Sequence, residues 1–220
     1  MNMIKYKAVI FDLDGTLLDT SKDLAISVNF ALAKHGFQTH PEYIIPWFTG
    51  NGMKMLIKRA IGSEVDENVF NAVFQDFTAH YSVHANDHTR VYDGIEDLIA
   101  RLKKSGVKLA VLSNKKHAPT SYLIDLHFPH TFDIVYGEGG EITRKPETKG
   151  FWKILTSFGI DDPRDVLYIG DSEVDVMTVK NAHCDSIFVS WGFRTKQHLM
   201  DAGAEIIVDS TDEIIERIFS

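Results

Sequence analysis

Lys7-Ala8-Val9-Ile10-Phe11-Asp12-Leu13-Asp14-Gly15-Thr16-Leu17-Leu18-Asp19 is the stretch whose reading decides the fold of this chain. Its first half is apolar on consecutive rather than alternate positions, which suits a strand buried on both faces of a parallel sheet. Two carboxylates, Asp12 and Asp14, then stand two residues apart, so on an extended backbone they leave on the same side. Gly15 lets the chain turn directly after them. Ligands of open α/β sheets bind at the carboxyl ends of the strands, which puts both acids at a pocket. Carboxylates brought together raise one pKa unless a cation neutralises them. The pair therefore calls for a bound Mg²⁺, or for an acid and a base sharing work.

Further strands follow the same pattern. Val107–Ser113, Asp133–Tyr136, Val166–Gly170, Ser186–Ser190 and Ile206–Val208 are short, apolar on consecutive positions, and end near Gly, Ser, Asn or Asp. Helix-period segments lie between them: Ile95, Leu98, Ile99 and Leu102 close at Gly106, and Phe151, Ile154, Leu155 and Phe158 close at Gly159. Strand and helix in alternation predict an α/β fold with a doubly wound, mostly parallel sheet. One region breaks the alternation. From Asp19 to His88 the patterns are helical, with stripes at Leu24, Ala25, Val28, Ala31, Leu32 and His35, and at Val69, Phe70, Val73, Phe74, Phe77 and Tyr81. The chain is thus expected to form a core from residues 1–16 and 89–220, with a small helical domain, 17–88, inserted after the first strand.

Composition bounds the function. The 220 residues carry 23 Lys+Arg and 31 Asp+Glu, a net charge of −8. That balance works against sequence-independent binding to nucleic acid or anionic lipid. A small anionic ligand stays compatible, because a local site can be positive on an acidic protein. Cys184 is the one cysteine, so an intrachain disulfide framework is excluded. The apolar run after Lys7 is too short for a secretory signal, and no run reaches the ~18 residues that span a bilayer. The expectation is a cytoplasmic protein, monomer or homodimer, that meets neither membrane nor nucleic acid.

Three more strand ends carry chemistry-bearing residues. Val111-Leu112-Ser113-Asn114-Lys115 supplies a hydroxyl and a turn of backbone N–H groups suited to phosphate oxygens. Lys145-Pro146 supplies a cation ahead of a helix. Tyr168-Ile169-Gly170-Asp171-Ser172-Glu173-Val174-Asp175 ends a strand with more carboxylates. Oxygen ligands without paired His or Cys point to Mg²⁺ rather than zinc. These four segments, in this order and spacing, resemble the haloacid-dehalogenase-like phosphatases across the whole chain. Thr49-Gly50-Asn51-Gly52 and Trp191-Gly192-Phe193-Arg194 are similar to the phosphoglycolate phosphatase group within them. One departure is Glu147-Thr148 after Lys145-Pro146, where relatives more often carry an acidic or His residue and then a second proline.

The resemblance implies a Mg²⁺-dependent phosphatase acting on a small phosphorylated metabolite through an aspartyl phosphate. Asp12 is then the nucleophile and Asp14 the acid and base. Asp12, the Asp14 carbonyl and Asp171 hold the metal, with Asp175 orienting its shell or Lys145. Ser113, Asn114 and Lys145 stabilise the transferring group, Thr16 joins the phosphate-binding turn, and Gly50, Asn51 and Gly52 contact the substrate. A sugar-phosphate mutase or a pyrophosphatase would use the same chemistry on a different acceptor. A phospho-accepting receiver domain also gathers acids, a hydroxyl and a Lys around Mg²⁺, yet has no use for a helical insertion. Other residues have simpler readings: Ser172-x-x-Asp175 is a capping box, Asp19 starts a helix, and His80, His84 and His88 lie at a helix end running into a linker. Cys184 reads as a small core residue.

Overall fold

The computed structural model describes residues 4–219 and divides into two compact units. One is formed by the chain up to Leu18 and from Val91 onward, the other by Asp19–Arg90.

The first unit is built on parallel strands β1 (Ala8–Phe11), β4 (Lys108–Lys116), β5 (Ile134–Glu138), β6 (Val166–Gly170), β7 (Asp185–Val189) and β8 (Ile207–Val208). Their spatial order is β5-β4-β1-β6-β7-β8. Short strands β2 (Leu18–Asp19) and β3 (Arg90–Val91) pair with each other where the chain leaves this unit and returns. Because side chains alternate along a strand, consecutive apolar residues feed two cores. Val9, Phe11, Leu109, Val111, Leu167 and Ile169 pack on one face with α4 (Ile95–Lys104), α5 (His117–His127) and α9 (Thr211–Phe219). Ala8, Ile10, Ala110, Leu112 and Tyr168 pack on the other with α6 (Lys149–Phe158), α7 (Glu173–Ala182) and α8 (Lys196–Ala202). The sheet is doubly wound, as the sequence pattern implies. The order also places β4 and β6 on either side of β1, so the chain reverses direction across the sheet there. The crevice outside their carboxyl ends is where such sheets take ligands.

Most strand boundaries shift by a residue or two from the sequence reading, and two of the differences have clear physical causes. Leu13 is buried but belongs to a turn: its carbonyl accepts the N–H groups of Thr16, Leu17 and Leu18. Burial alone did not make it strand. In contrast β4 runs past Ser113 to Lys116, because its pairing with β5 resumes after a register shift between Ser113 and Lys116. Such bulges re-aim side chains beside functional sites.

The second unit packs α1 (Ser21–Lys34), a 3₁₀ segment (Glu42–Phe48), α2 (Met53–Ile61) and α3 (Glu67–His84). Val28, Ala31, Leu32, Ile45, Ile57, Val73 and Phe77 are buried. The α3 stripe is narrower than expected, since Phe70 and Phe74 are half-buried and Val69 is exposed. Asp19 ends β2 rather than starting α1, but its carboxylate accepts the N–H and hydroxyl of Ser21, the helix's first residue. The three spaced histidines each have a partner: Ser27 for His80, Asp87 for His84 and Asp23 for His88. The His80 and His84 rings lie 4.3 Å apart, but His88 turns to Asp23, and the three form no group of metal ligands among the described residues.

Asp23 holds the end of this unit. Its buried carboxylate accepts the backbone N–H groups of His88 and Thr89, the Thr89 hydroxyl and the His88 ring. Asp23→Ala removes the acceptor of the partly buried His88 and Thr89 N–H groups, at about 0.5–1.5 kcal/mol each. Amide exchange at His88 and Thr89 should accelerate by at least about tenfold; unchanged protection there would exclude the clasp.

Candidate active site

The site lies in the first unit, at the carboxyl ends of β1, β4 and β6 and in the loop after β7. Asp12 follows β1 directly, its N–H on the Ile169 carbonyl and its Oδ1 accepting the Leu13 N–H at 2.7 Å. Its carboxylate meets Lys145 Nζ at 2.9 Å. Lys145 also reaches Asp175 Oδ1 at 2.7 Å and the Tyr168 hydroxyl at 3.1 Å, with only 3% of its surface exposed. Asp171, after β6, accepts the Thr16 hydroxyl on Oδ1 at 3.0 Å and the Phe193 N–H on Oδ2 at 2.7 Å. One carboxylate oxygen from each of Asp12, Asp171 and Asp175 falls within 4.8 Å of the others, the only such cluster of possible metal ligands among the described residues.

Charge and burial explain the protonation behaviour. Burial pushes the Asp12 carboxyl up to about 7, against the pull of Lys145. Burial, then the charges of Asp175 and Asp12, push Asp171 well above the usual carboxylate range. Asp175 goes the other way: burial opposes its charge, but Lys145 and the hydrogen bonds it receives hold its pKa below the ordinary value. Burial likewise opposes the Lys145 ammonium, and Asp12 and Asp175 more than reverse that. Three carboxylates against one ammonium leave two negative charges, which a divalent cation matches. The donor set, all oxygen and without His or Cys, fits a hard cation of the Mg²⁺ or Ca²⁺ kind.

The other residues singled out in the sequence have these partners within the protein. Asn114 clamps the backbone of Lys145, its Oδ1 taking the Lys145 N–H at 2.6 Å and its Nδ2 donating to the Lys145 carbonyl at 3.0 Å. It positions the lysine, since both ends of its amide are used in doing so. Thr16, expected to touch phosphate, is fully buried and gives its hydroxyl to Asp171. Asp175, placed among the metal ligands, accepts Lys145 and Tyr168 on Oδ1 and the N–H groups of Asp171 and Ser172 with the Ser172 hydroxyl on Oδ2. Five donors meet its two oxygens, one of its oxygens also falls within the acidic cluster, and the capping box at Ser172 is present beside that. Ser113 is buried and accepts the Lys115 N–H at 3.1 Å. Asp14 follows Leu13 in the turn, and its Oδ1 meets Lys115 Nζ at 2.6 Å. Gly15, at φ +87°, sits where a Cβ would lie 2.2 Å from Asp171 Oδ2, so no other residue lets the turn close on that carboxylate.

Gly50, Asn51 and Gly52 belong to the second unit, apart from the acids in the chain's division. Arg59 knits that loop: Nη1 donates to the carbonyls of Phe48 and Thr49 at 3.0 Å, and Nη2 to Asn51 Oδ1 at 2.6 Å. Gly50 and Gly52 both have positive φ, and Gly52 opens α2. The sequence reading gave no role to Lys115, Tyr168 or Arg59. Tyr168 did leave a signal, a hydroxyl in the middle of an otherwise apolar strand, which must find a partner when buried.

With this geometry described, the comparisons with known proteins place the chain. The sequence model of haloacid dehalogenase-like hydrolases matches residues 9–189, and the chain belongs to that family. It is a hydrolase of the phosphatase kind. It is 28% identical to the phosphoglycolate phosphatase of Haemophilus influenzae (strain 86-028NP) over 96% of this chain and 97% of that one. It is 30% identical to that of Mesorhizobium japonicum over 96% and 95%. Among solved structures, a protein assigned as a phosphoglycolate phosphatase from Lactobacillus delbrueckii subsp. bulgaricus superposes with a TM-score of 0.93 at 35% identity, over 99% of this chain and all of the other. CbbY from Rhodobacter sphaeroides, solved in complex with phosphate, gives 0.73 at 25% identity over 95% and 96%. The receiver-domain alternative is thereby set aside. No helix among the described residues is long and apolar enough to cross a membrane.

The raised carboxyls make cation binding pH-linked. Asp12, with its ordinary value near 3.8 raised to about 7, holds a proton in the metal-free fold where the unfolded chain has lost it. Its contribution to stability therefore falls as pH rises from about 4 to 7. A divalent cation removes that penalty by displacing the proton. The rise in Tm on adding Mg²⁺ to EDTA-treated protein should be larger at pH 8 than at pH 5. An equal rise at both, in a thermal melt series, would contradict the acidic cluster as the cation site.

Proposed function

We propose that the chain is a Mg²⁺-dependent phosphomonoesterase for a small, phosphoglycolate-like ester, working through an aspartyl phosphate on Asp12. The observation that supports this most is the meeting of Asp12, Asp171 and Lys145, with Asp14 two residues from the nucleophile. The names of its relatives point the same way.

In this reading Asp12 attacks phosphorus with the carboxylate oxygen not engaged by the Leu13 N–H, forming an O–P bond as the ester oxygen leaves. Covalent catalysis splits one difficult displacement into two. Lys145, locked between Asp12 and Asp175, presents a fixed positive charge to the transferring group at no reorganisation cost. Ser113 and the turn after it are placed to contact phosphoryl oxygens. Asp14 protonates the departing alkoxide, then takes a proton from the water that cleaves the aspartyl phosphate. Asp12, the Asp14 carbonyl and Asp171 would hold Mg²⁺, which when bound offsets the repulsion between a carboxylate nucleophile and a phosphate dianion. Thr16, the Phe193 N–H and Asn114 keep these groups in register. Leaving-group selectivity falls in this reading to the Gly50, Asn51 and Gly52 loop, where positive φ at both glycines leaves the backbone open to close approach by a ligand.

Asp12→Asn removes the attacking oxygen and a metal ligand together. Turnover of 4-nitrophenyl phosphate and of a panel of small phosphate esters should fall by at least about 10³-fold while the far-UV spectrum stays unchanged. EDTA should silence the wild type and Mg²⁺ restore it. Retained turnover by folded Asp12→Asn protein would refute the nucleophile.

For the loop, Asn51→Ala or Gly52→Val should raise KM and lower kcat/KM for the preferred small ester by on the order of tenfold. Hydrolysis of 4-nitrophenyl phosphate, which depends on the first unit alone, should change much less. Equal losses on both substrates would show that the loop does not read the leaving group.

A further inference from the structure

We propose that Lys115 reads the leaving group, and that it does so by binding a carboxylate carried one methylene from the ester oxygen. The inference rests on Asp12 and Asp14 acting as nucleophile and acid. The first unit buries three cations: Lys115, Lys145 and Arg194. Lys145 is engaged by Asp12 and Asp175, the groups of the phosphoryl side. Arg194 is held by Glu173 at 2.6 Å through Nε and 3.2 Å through Nη2. Lys115 instead meets Asp14, the acid assigned to the departing oxygen in the proposed mechanism. Its charge therefore stands on the leaving-group side.

The backbone fixes it there. β4 shifts register between Ser113 and Lys116, the Lys115 N–H is held by Ser113 Oγ, and the Lys115 carbonyl accepts the Thr120 hydroxyl. Gly137 lies so close beneath that a Cβ on it would be 2.6 Å from that carbonyl. An ammonium placed this way is poorly suited to orient an acid and nothing more. Burying a cation is costly, and a neutral donor would hold Asp14 at less expense. A lysine has three rotatable donors, so one ammonium can hold Asp14 and a second carboxylate oxygen together. Geometry agrees. With one Asp14 oxygen on the ester oxygen and the other on Lys115, the ammonium stands two short contacts away from the reacting bond. A carboxylate one methylene along reaches about 3 Å beyond that oxygen by ordinary bond lengths, and one hydrogen bond closes the remaining gap. A neutral leaving group of the same length would leave the ammonium without that partner, and a cationic one would be repelled.

The test compares 2-phosphoglycolate, 2-hydroxyethyl phosphate and phosphoethanolamine, which share the phosphoryl group and differ at the far end. Wild type should favour phosphoglycolate over the hydroxyl analogue on the order of 10- to 100-fold in kcat/KM, the worth of one charge-assisted hydrogen bond, and should use phosphoethanolamine least. Lys115→Met should bring the first ratio close to one, and Lys115→Arg should restore most of it. Binding gives a second readout: phosphoglycolate titrated calorimetrically into inert Asp12→Asn protein should weaken by a similar factor when Lys115→Met is added, and 2-hydroxyethyl phosphate should not. An equal loss on all three esters would reduce Lys115 to a positioning residue for Asp14 and overturn the inference, as would a wild type indifferent to the carboxylate. Those failures leave Asp12-dependent hydrolysis of 4-nitrophenyl phosphate intact. Its absence would instead remove the hydrolase mechanism itself.

Discussion

The buried contact of Lys145 with Asp12 and Asp175 is the interaction on which the rest of the site depends. Such a cluster is a poor way to stabilise a protein, because desolvating the charges costs about as much as their attraction returns, and well-packed apolar residues would do as well. Its presence between β1, β4 and β6 is therefore explained by chemistry. Everything around it serves its alignment: Asn114 holds the Lys145 backbone from both sides, Tyr168 bridges Lys145 and Asp175, and the first turn of α7 closes on Asp175. A charge fixed this way before substrate arrives needs no rearrangement during the reaction.

Close packing imposes the second constraint. Asp171 is reached from two loops at once, by the Thr16 hydroxyl and by the Phe193 N–H. Both approaches work only because Gly15 and Gly192 have no side chain, since a Cβ at either would come within 2.4 Å of Asp171 Oδ2. The strand ends, though distant in sequence, thus behave as one rigid cluster.

Much of this was legible in the sequence because it depends on local pattern. Consecutive apolar runs announced the buried strands, and Asp12 and Asp14 announced their own face. Partners that form across the fold left weaker traces. The resemblance implies ligand contacts for Asn114 and Thr16, and polar side chains at strand ends can equally orient other groups. The 2.6 Å bond from the Lys145 N–H to Asn114 is one such link across the fold, which no sequence pattern shows. The sequence assigns Lys115 no role beyond its place after Ser113 and Asn114. Its burial follows from the register shift after Ser113, which no periodicity encodes. Leu13 shows the converse: an apolar residue next to a strand can be buried by a turn whose N–H groups converge on its carbonyl.

A division of labour follows. The nucleophile, Lys145 and the acidic cluster recognise what all phosphate monoesters share, so they cannot distinguish one ester from another. Discrimination requires groups that meet the part of the substrate that differs, and uniform binding of the phosphoryl end adds nothing to it. In the first unit that leaves the neighbourhood of Asp14, where the leaving oxygen departs and where Lys115 carries its charge. In the second it leaves the loop around Asn51, held in shape by Arg59 through three hydrogen bonds rather than by burial in a core. A loop fixed by polar bonds can change its outward residues without disturbing the packing of Val73 and Phe77. In the proposed mechanism the chemistry and the charge of Lys115 both belong to the rigid sheet ends, and only the loop around Asn51 can vary without disturbing a core.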